Sequence, residues 1–285
     1  MRSALQHTLA APIFASGVGV HSGHRVGATV RPAPDGHGIR VVPVGRPAAE
    51  AVSWTEPNVR DTLLATVVGT AEWRVSTAEH LVAALVGLEV DNALVEVDGP
   101  EVPILDGSAA PWVERIRTVG RTPGRTRRIG YTVAESVQVG EGSAWARLDP
   151  ADALVLDVRI DFPHPAVGVQ ELVVRPTPDR FEAELCWART FGFEADVQRL
   201  HALGKALGGS LANAVVFGAD GVLNPEGLRA PDEAVRHKIL DLVGDIGLFG
   251  VPVCARLTAS RPGHALTRAL VRAAAPLLVP APETP

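Results

Sequence analysis

Short apolar runs alternate with polar positions over residues 5–45 and are repeatedly broken by Gly and Pro, a pattern that predicts strands and turns. A helical spacing takes over at 75–88, around Leu81, Val82 and Leu85. Residues 91–97 (DNALVEV) alternate again and carry β-branched side chains, which predicts a strand. Gly107-Ser108-Ala109-Ala110-Pro111 opens a second helix that runs to about Val119. Residues 120–128 (GRTPGRTRR) have no periodicity and hold a Pro-Gly turn, so a linker is expected there.

Beyond the linker, 128–139, 144–148 and 153–162 read as strands, and 178–186 as helical. Residues 194–224 are Gly-rich and mixed. Residues 232–248 form the clearest helix, followed by a strand at 253–259 and a last helix at 264–275. The tail 276–285 holds four prolines and is expected to fray. Runs of strands with about two helices thus occur in two successive blocks. That favours an α+β fold over a doubly wound parallel one. The expected domains are 1–122 and 128–275. The order of elements is similar in the two blocks, but no sequence repeat relates them.

Composition narrows the functional classes. A chain of 285 residues with 46% hydrophobic residues buries a core without disulfide staples. A net charge of −5 and a pI near 6.0 supply no basic field for nucleic acid. All basic residues except Lys205 and Lys238 are arginine, which reads as compositional bias. Cys186 and Cys254 form no CxxC motif and are expected as buried thiols in a reducing compartment. No long apolar stretch follows the first seven residues, and no window reaches the roughly 18–20 apolar residues of a membrane span. The expectation is a cytoplasmic protein with no transmembrane segment.

Two segments stand out for chemistry. In Ser76-Thr77-Ala78-Glu79-His80, the Ser76/Glu79 spacing fits a capping box ahead of an apolar run, which would leave His80 on the surface. The functional reading makes His80 a metal ligand and Glu79 a general base beside it. In the second segment His237, Asp241 and Asp245 follow one another at i+4 and share a helix face. Val235, Ile239, Leu242 and Ile246 form a separate apolar stripe. A solvated polar face is the ordinary meaning of such a pattern. Aspartates late in a helix oppose its dipole, however, and His with two Asp makes a better cation site than a surface. Two imidazoles and one carboxylate leave a fourth tetrahedral position open, as catalytic zinc sites do. Two further segments, Ala188-Arg189-Thr190-Phe191-Gly192-Phe193 and Gly263-His264-Ala265-Leu266, are weak alone: core aromatics and a turn histidine explain them.

Taken in order, these segments resemble the zinc-dependent UDP-3-O-acyl-N-acetylglucosamine deacetylases of Gram-negative bacteria, which act in lipid A synthesis. The resemblance runs from about Gly17 to Leu270. It also takes in Gly17-Val18-Gly19-Val20-His21-Ser22-Gly23, Arg60-Asp61-Thr62, Pro103-Ile104-Leu105-Asp106-Gly107-Ser108, Asp161-Phe162-Pro163-His164-Pro165 and Leu207-Gly208-Gly209-Ser210. It implies His80, His237 and Asp241 as zinc ligands (Fe2+ being an alternative in the cell) and Glu79 as general base. It implies His264 as general acid or electrostatic stabiliser, Asp245 as its orienting partner and Thr190 as oxyanion donor. Lys238 would lie near the sugar or diphosphate, His21 near the diphosphate or water network, Phe162 by the uracil-ribose end and Phe191 by the hexosamine ring or acetyl region. The implied fold is two α+β domains, each with two helices packed on β-sheets, with the active site between them. An insert near 194–222 would line an acyl-chain groove with Leu200, Leu203, Leu207, Leu211, Val215 and Val216, unless these only pack the domain.

Three positions depart from the family pattern: Leu211 where an aromatic is common, Ala65 where many members carry Cys, and Thr267 where Asn is frequent. The implied activity is hydrolysis of the N-acetyl group of an acylated UDP-amino-sugar by a monomer, releasing acetate. Two alternatives are a paralogue acting on another amino-sugar conjugate, and a non-catalytic domain that binds zinc or the nucleotide-lipid.

Overall fold

The computed structural model describes residues 5–282. Residues 1–4, read above for a leader, and residues 283–285 of the tail lie outside them. Among the described residues are six α-helices: α1 (Glu79–Gly87), α2 (Ala110–Val119), α3 (Pro178–Glu184), α4 (Glu194–Ala202), α5 (Glu233–Ile246) and α6 (His264–Ala274).

Two five-stranded sheets carry the fold, and their topologies match. In the first the spatial order is Ile13–Val18, Arg25–Pro32, Ala93–Asp98, Ile39–Pro43, Val52–Ser53. The late strand Ala93–Asp98 slots into the middle, antiparallel to Arg25–Pro32 and parallel to Ile39–Pro43. In the second the order is Val137–Glu141, Ala144–Pro150, Ala255–Ser260, Val155–Phe162, Gly168–Val174. Ala255–Ser260 takes the same central place, antiparallel to one neighbour and parallel to the other. A three-stranded sheet precedes α1 in the first half and α5 in the second. Thus α1 corresponds to α5 and α2 to α6, with α3 and α4 added in the second half. This is an α+β structure built twice on one plan without a matching sequence. A plan is preserved wherever inward positions stay apolar, whatever the side chains are.

The inward faces of both sheets and all the apolar positions of α1 belong to one continuous buried cluster that spans the halves. Leu81, Val82, Ala83, Ala84 and Leu85 are all buried, so α1 is apolar around its whole circumference. It packs directly on α5. Gly244 permits that approach: a Cβ there would run into the carbonyl oxygen of Glu79. Trp54, from the first half, donates its indole N–H to the Gly244 carbonyl at 3.0 Å.

Three expectations need correction. The 120–128 segment is not an irregular linker: Arg121–Arg127 is a strand paired antiparallel with Leu5–Leu9. Its backbone bonds, and the Asp35 carboxylate accepting from the Arg125 and Thr126 amides, order it without a buried face. Hydrophobic periodicity could not report a strand exposed on both sides. The tail is ordered through 282, because Leu278–Pro280 pairs with Tyr131–Val133. The Ser76–Glu79 capping box does not form. Val75 ends a strand, Thr77 takes a left-handed conformation (φ 58°), and no side chain caps α1. Ser76 is engaged by backbone bonds to Pro100 and Val102 instead. Both cysteines are buried and neither is in a disulfide.

Candidate metal centre and active site

The α1–α5 contact brings His80 to the polar stripe of α5. The nearest ligand atoms of His80, His237 and Asp241 all lie within 4.8 Å of one another, and all three residues are buried. Asp241 Oδ1 is 3.4 Å from His80 Nε2 and 3.3 Å from His237 Nε2. The two imidazoles meet edge to face, centroids 4.9 Å apart. His237 Nδ1 donates to the Ala188 carbonyl at 3.1 Å. A carbonyl only accepts, so the proton sits on Nδ1 and the Nε2 lone pair points into the cluster. The polar stripe of α5 is therefore not the solvated face such patterns usually form.

Charge is distributed unevenly around this cluster. Burial works against the Asp241 carboxylate, but His237 and Lys238 outweigh it and hold the acid well below its ordinary range. Lys238 Nζ donates to Asp241 Oδ2 at 2.9 Å. Burial lowers His237, favouring the neutral ring a metal requires.

Two further titratable groups face the same space. Burial raises Glu79 to about 7; His264 opposes the shift, while Asp241 and Asp245 add to it. His264 Nδ1 donates to Asp245 Oδ2 at 2.7 Å. Burial disfavours the His264 cation, yet Asp245 first, then Glu79 and Asp241, raise it to about 10. The pair thus holds a carboxyl poised near neutrality and an imidazolium stable well above it.

Thr190 is half-buried and fixed by two backbone bonds, its amide to Gly107 and its carbonyl to the Val215 amide. Its hydroxyl makes no hydrogen bond among the described residues. Phe162 and Phe191 stand edge to face at 5.4 Å, and Phe191 lies 6.2 Å from the His237 ring. Phe193, from the segment read above as core aromatics, and Phe217, which sequence reading did not single out, extend this aromatic cluster. Lys238 Nζ sits 5.7 Å from the Phe191 ring centre. His21 is half-buried, with its Nδ1 accepting from the Ala206 amide at 3.4 Å, so the early glycine loop rests on the insert.

In the insert Leu200 is half-buried, while Leu203, Leu207 and Leu211 are 60%, 51% and 39% exposed. Val215 departs from the expected groove: it is buried in the core, on a strand paired parallel to Phe191–Phe193. Val216 is half-buried.

Several organising residues escaped sequence reading. Arg189 and Glu233 form a buried ion pair at 2.9 Å that ties the loop carrying Thr190 to the start of α5. Glu101 is buried and accepts from the His21 and Ser22 amides and the Thr77 hydroxyl. Thr66 reaches Glu79 and Asp245 from a hairpin tip. Each looks like an ordinary polar residue in one dimension; burial of a charge or hydroxyl is the signal, and only packing reveals it.

The model of the UDP-3-O-acyl N-acetylglycosamine deacetylase family matches residues 6–275. The chain belongs to this family. Its members are metalloenzymes, which agrees with the buried His80/His237/Asp241 cluster. The chain is 47% identical over 267 residues to the UDP-3-O-acyl-N-acetylglucosamine deacetylase of Anaeromyxobacter sp. (strain Fw109-5), covering 94% of this chain and 87% of that protein. It is 46% identical to the enzymes of that name from Myxococcus xanthus (94% and 85% covered) and Phenylobacterium zucineum (95% and 93%). No helix among the described residues is long and apolar enough to cross a membrane.

Proposed function

We propose that this protein hydrolyses the N-acetyl group of a UDP-3-O-acyl-N-acetylglucosamine, releasing acetate, as the deacetylase of lipid A synthesis in a Gram-negative cytoplasm. The observation that carries the reading is the buried His80/His237/Asp241 cluster with Glu79 and His264 facing each other beside it. The donor set of two imidazoles and a carboxylate suits zinc, and Fe(II) accepts the same ligands. When bound, the ion supplies Lewis-acid polarisation of the acetamide carbonyl and makes the attacking water more acidic.

The chain's own groups divide the remaining work. Glu79 takes the proton of the attacking water. The Thr190 hydroxyl, which makes no hydrogen bond among the described residues, donates to the oxyanion that develops on the carbonyl. His264, charged at neutral pH, protonates the departing amine, and Asp245 keeps its Nδ1–H turned inward so that Nε2 faces the reaction. Lys238 and His21 bind toward the sugar and diphosphate, Phe191 by the hexosamine and Phe162 by the uracil-ribose. Leu200, Leu203, Leu207 and Leu211 offer apolar surface to the acyl chain. The domains carrying these groups are 1–122 and 128–275. Every group comes from one chain, so a monomer suffices.

The deciding experiment measures acetate release from acylated UDP-N-acetylglucosamine together with metal content. Stoichiometric metal with turnover in the parent, and metal without turnover in Glu79→Ala, is the expected result. A metal-loaded parent that releases no acetate overturns the reading.

A further inference from the structure

We propose that Thr66 is a positioning residue whose hydroxyl fixes the Asp245 carboxylate and, through it, the orientation of His264. This rests on the acid role read above for His264.

Thr66 is delivered by a hairpin of Val59–Asp61 and Val67–Gly69. Asp61 stabilises the turn, its Oδ1 accepting from the Thr62 and Leu63 amides at 2.7 and 3.2 Å. Arg268 of α6 donates to the Val59 carbonyl at 2.9 Å, which ties this hairpin to the helix that begins with His264. The base of the hairpin is thus anchored to the helix that carries His264.

Thr66 is fully buried, so it cannot touch substrate and acts only through its neighbours. Its hydroxyl lies 2.7 Å from Asp245 Oδ1 and 3.4 Å from His264 Nδ1. His264 Nδ1 already directs its proton to Asp245 Oδ2. The threonine proton therefore goes to Oδ1. Each oxygen of Asp245 then accepts one short bond, and the plane of the carboxylate is set from both sides. Without the hydroxyl, Asp245 keeps one anchor, the imidazole itself, and the two rotate together. Separately, the Thr66 amide donates to Glu79 Oε2 at 3.3 Å. That bond survives side-chain substitution, so variants report on the hydroxyl alone.

The test uses the metal-loaded full chain with acylated UDP-N-acetylglucosamine. Thr66→Val, close in shape but lacking the hydroxyl, is expected to lower kcat by about 10–100-fold, the usual range for an outer hydrogen-bond partner of an active group. KM and metal content should stay near the parent values. Thr66→Ser should recover most of the loss. A Thr66→Val enzyme at parental kcat overturns the proposal. So does equal kcat in Thr66→Ser and Thr66→Ala, a comparison that remains decisive if valine disturbs folding.

Combination with Asp245→Asn supplies a readout that a purely structural role would not move. Valine at 66 should add no further loss in that background; a full multiplicative loss rejects action through Asp245. The NMR signal of the His264 Nδ1 proton requires no turnover. It should be sharp in the parent and exchange-broadened in Thr66→Val; an unchanged signal overturns the proposal. A parent that releases no acetate would count against the functional reading and leave this spectroscopic test in force.

Discussion

Glu79 Oε1 and His264 Nε2 stand 3.9 Å apart, the first at the start of α1 and the second at the start of α6. The two halves of the fold therefore each contribute one titratable group to a shared space. Their separation exceeds a hydrogen bond and leaves both groups available to a reacting molecule between them. Both are shifted upward, Glu79 by burial to about 7 and His264 chiefly by Asp245 to about 10, so at neutral pH the imidazole is protonated while the carboxyl is only partly so.

The pH profile of kcat/KM is expected to be bell-shaped. Glu79 must lose its proton to serve as base and titrates near about 7 in the protein without its ion. His264 must keep its proton and titrates near about 10. A bound cation favours the carboxylate and disfavours the imidazolium, so both limbs should fall at or below these values. Glu79→Gln should lower kcat by about 10²–10⁴-fold and abolish the acidic limb while retaining metal. Retention of that limb would reject Glu79 as its source.

His237→Ala is expected to reduce bound metal and activity together. His237 is oriented by the Ala188 carbonyl and lies against Asp241, so its loss removes one donor and leaves Asp241 a poorer partner. Elemental analysis of the purified variant checks this; full occupancy would remove His237 from the ligand set. Chelation of the parent should likewise stop acetate release, with recovery on adding zinc.

Glu79 and His264 should each make the stability of the metal-free protein fall as pH rises, opposed below about 6.5 by His7, His21 and His237, whose folded values burial lowers. Glu79 has a folded value near about 7 against an ordinary 4.5, so its contribution is complete below 4.5 and lost through 7. His264 has a folded value near about 10 against 6.5, so its contribution is complete below 6.5 and lost through 10. In both windows the folded chain binds the extra proton, and each group alone can give a slope approaching ~1.4 kcal/mol per pH unit. Urea midpoints across pH test this. Asp245→Asn should flatten the upper window.

Gly244→Ala should destabilise the protein by about 1–3 kcal/mol, the usual cost of overpacking. The added methyl meets the Glu79 carbonyl and pushes α1 away from α5. Because that contact also sets the distance between His80 and Asp241, metal affinity should weaken in parallel. Chemical denaturation and metal titration together check the prediction; a variant as stable as the parent would show that the helices can separate freely.

Arg189→Met should cost about 3–5 kcal/mol, since Glu233 would remain buried without its partner. Replacing both, Arg189→Met with Glu233→Gln, should recover part of the loss. The denaturation midpoint is the readout.

Several features of the fold and site were legible in one dimension. The i+4 spacing of His237, Asp241 and Asp245 placed them on one face of α5, and that face is a local property of any helix. The alternation at 91–97 announced the central strand Ala93–Asp98. Exposed strands were not legible: Arg121–Arg127 and Leu278–Pro280 are ordered by backbone pairing, which leaves no apolar period to read. Ser76 shows the opposite failure. Its spacing matched a helix cap, but long-range pairing with the segment around Glu101 overrode the local preference.

By itself the sequence determined the helix faces, the donor types and the order of the motifs, because each depends on neighbours a few residues away. The tertiary structure alone decided that His80 meets His237 and Asp241, that Glu79 faces His264, and that Thr66 reaches Asp245. Those encounters depend on how closely two distant helices approach. That distance is set by a missing side chain at Gly244 and by the burial of everything around it, neither of which has a signature along the chain.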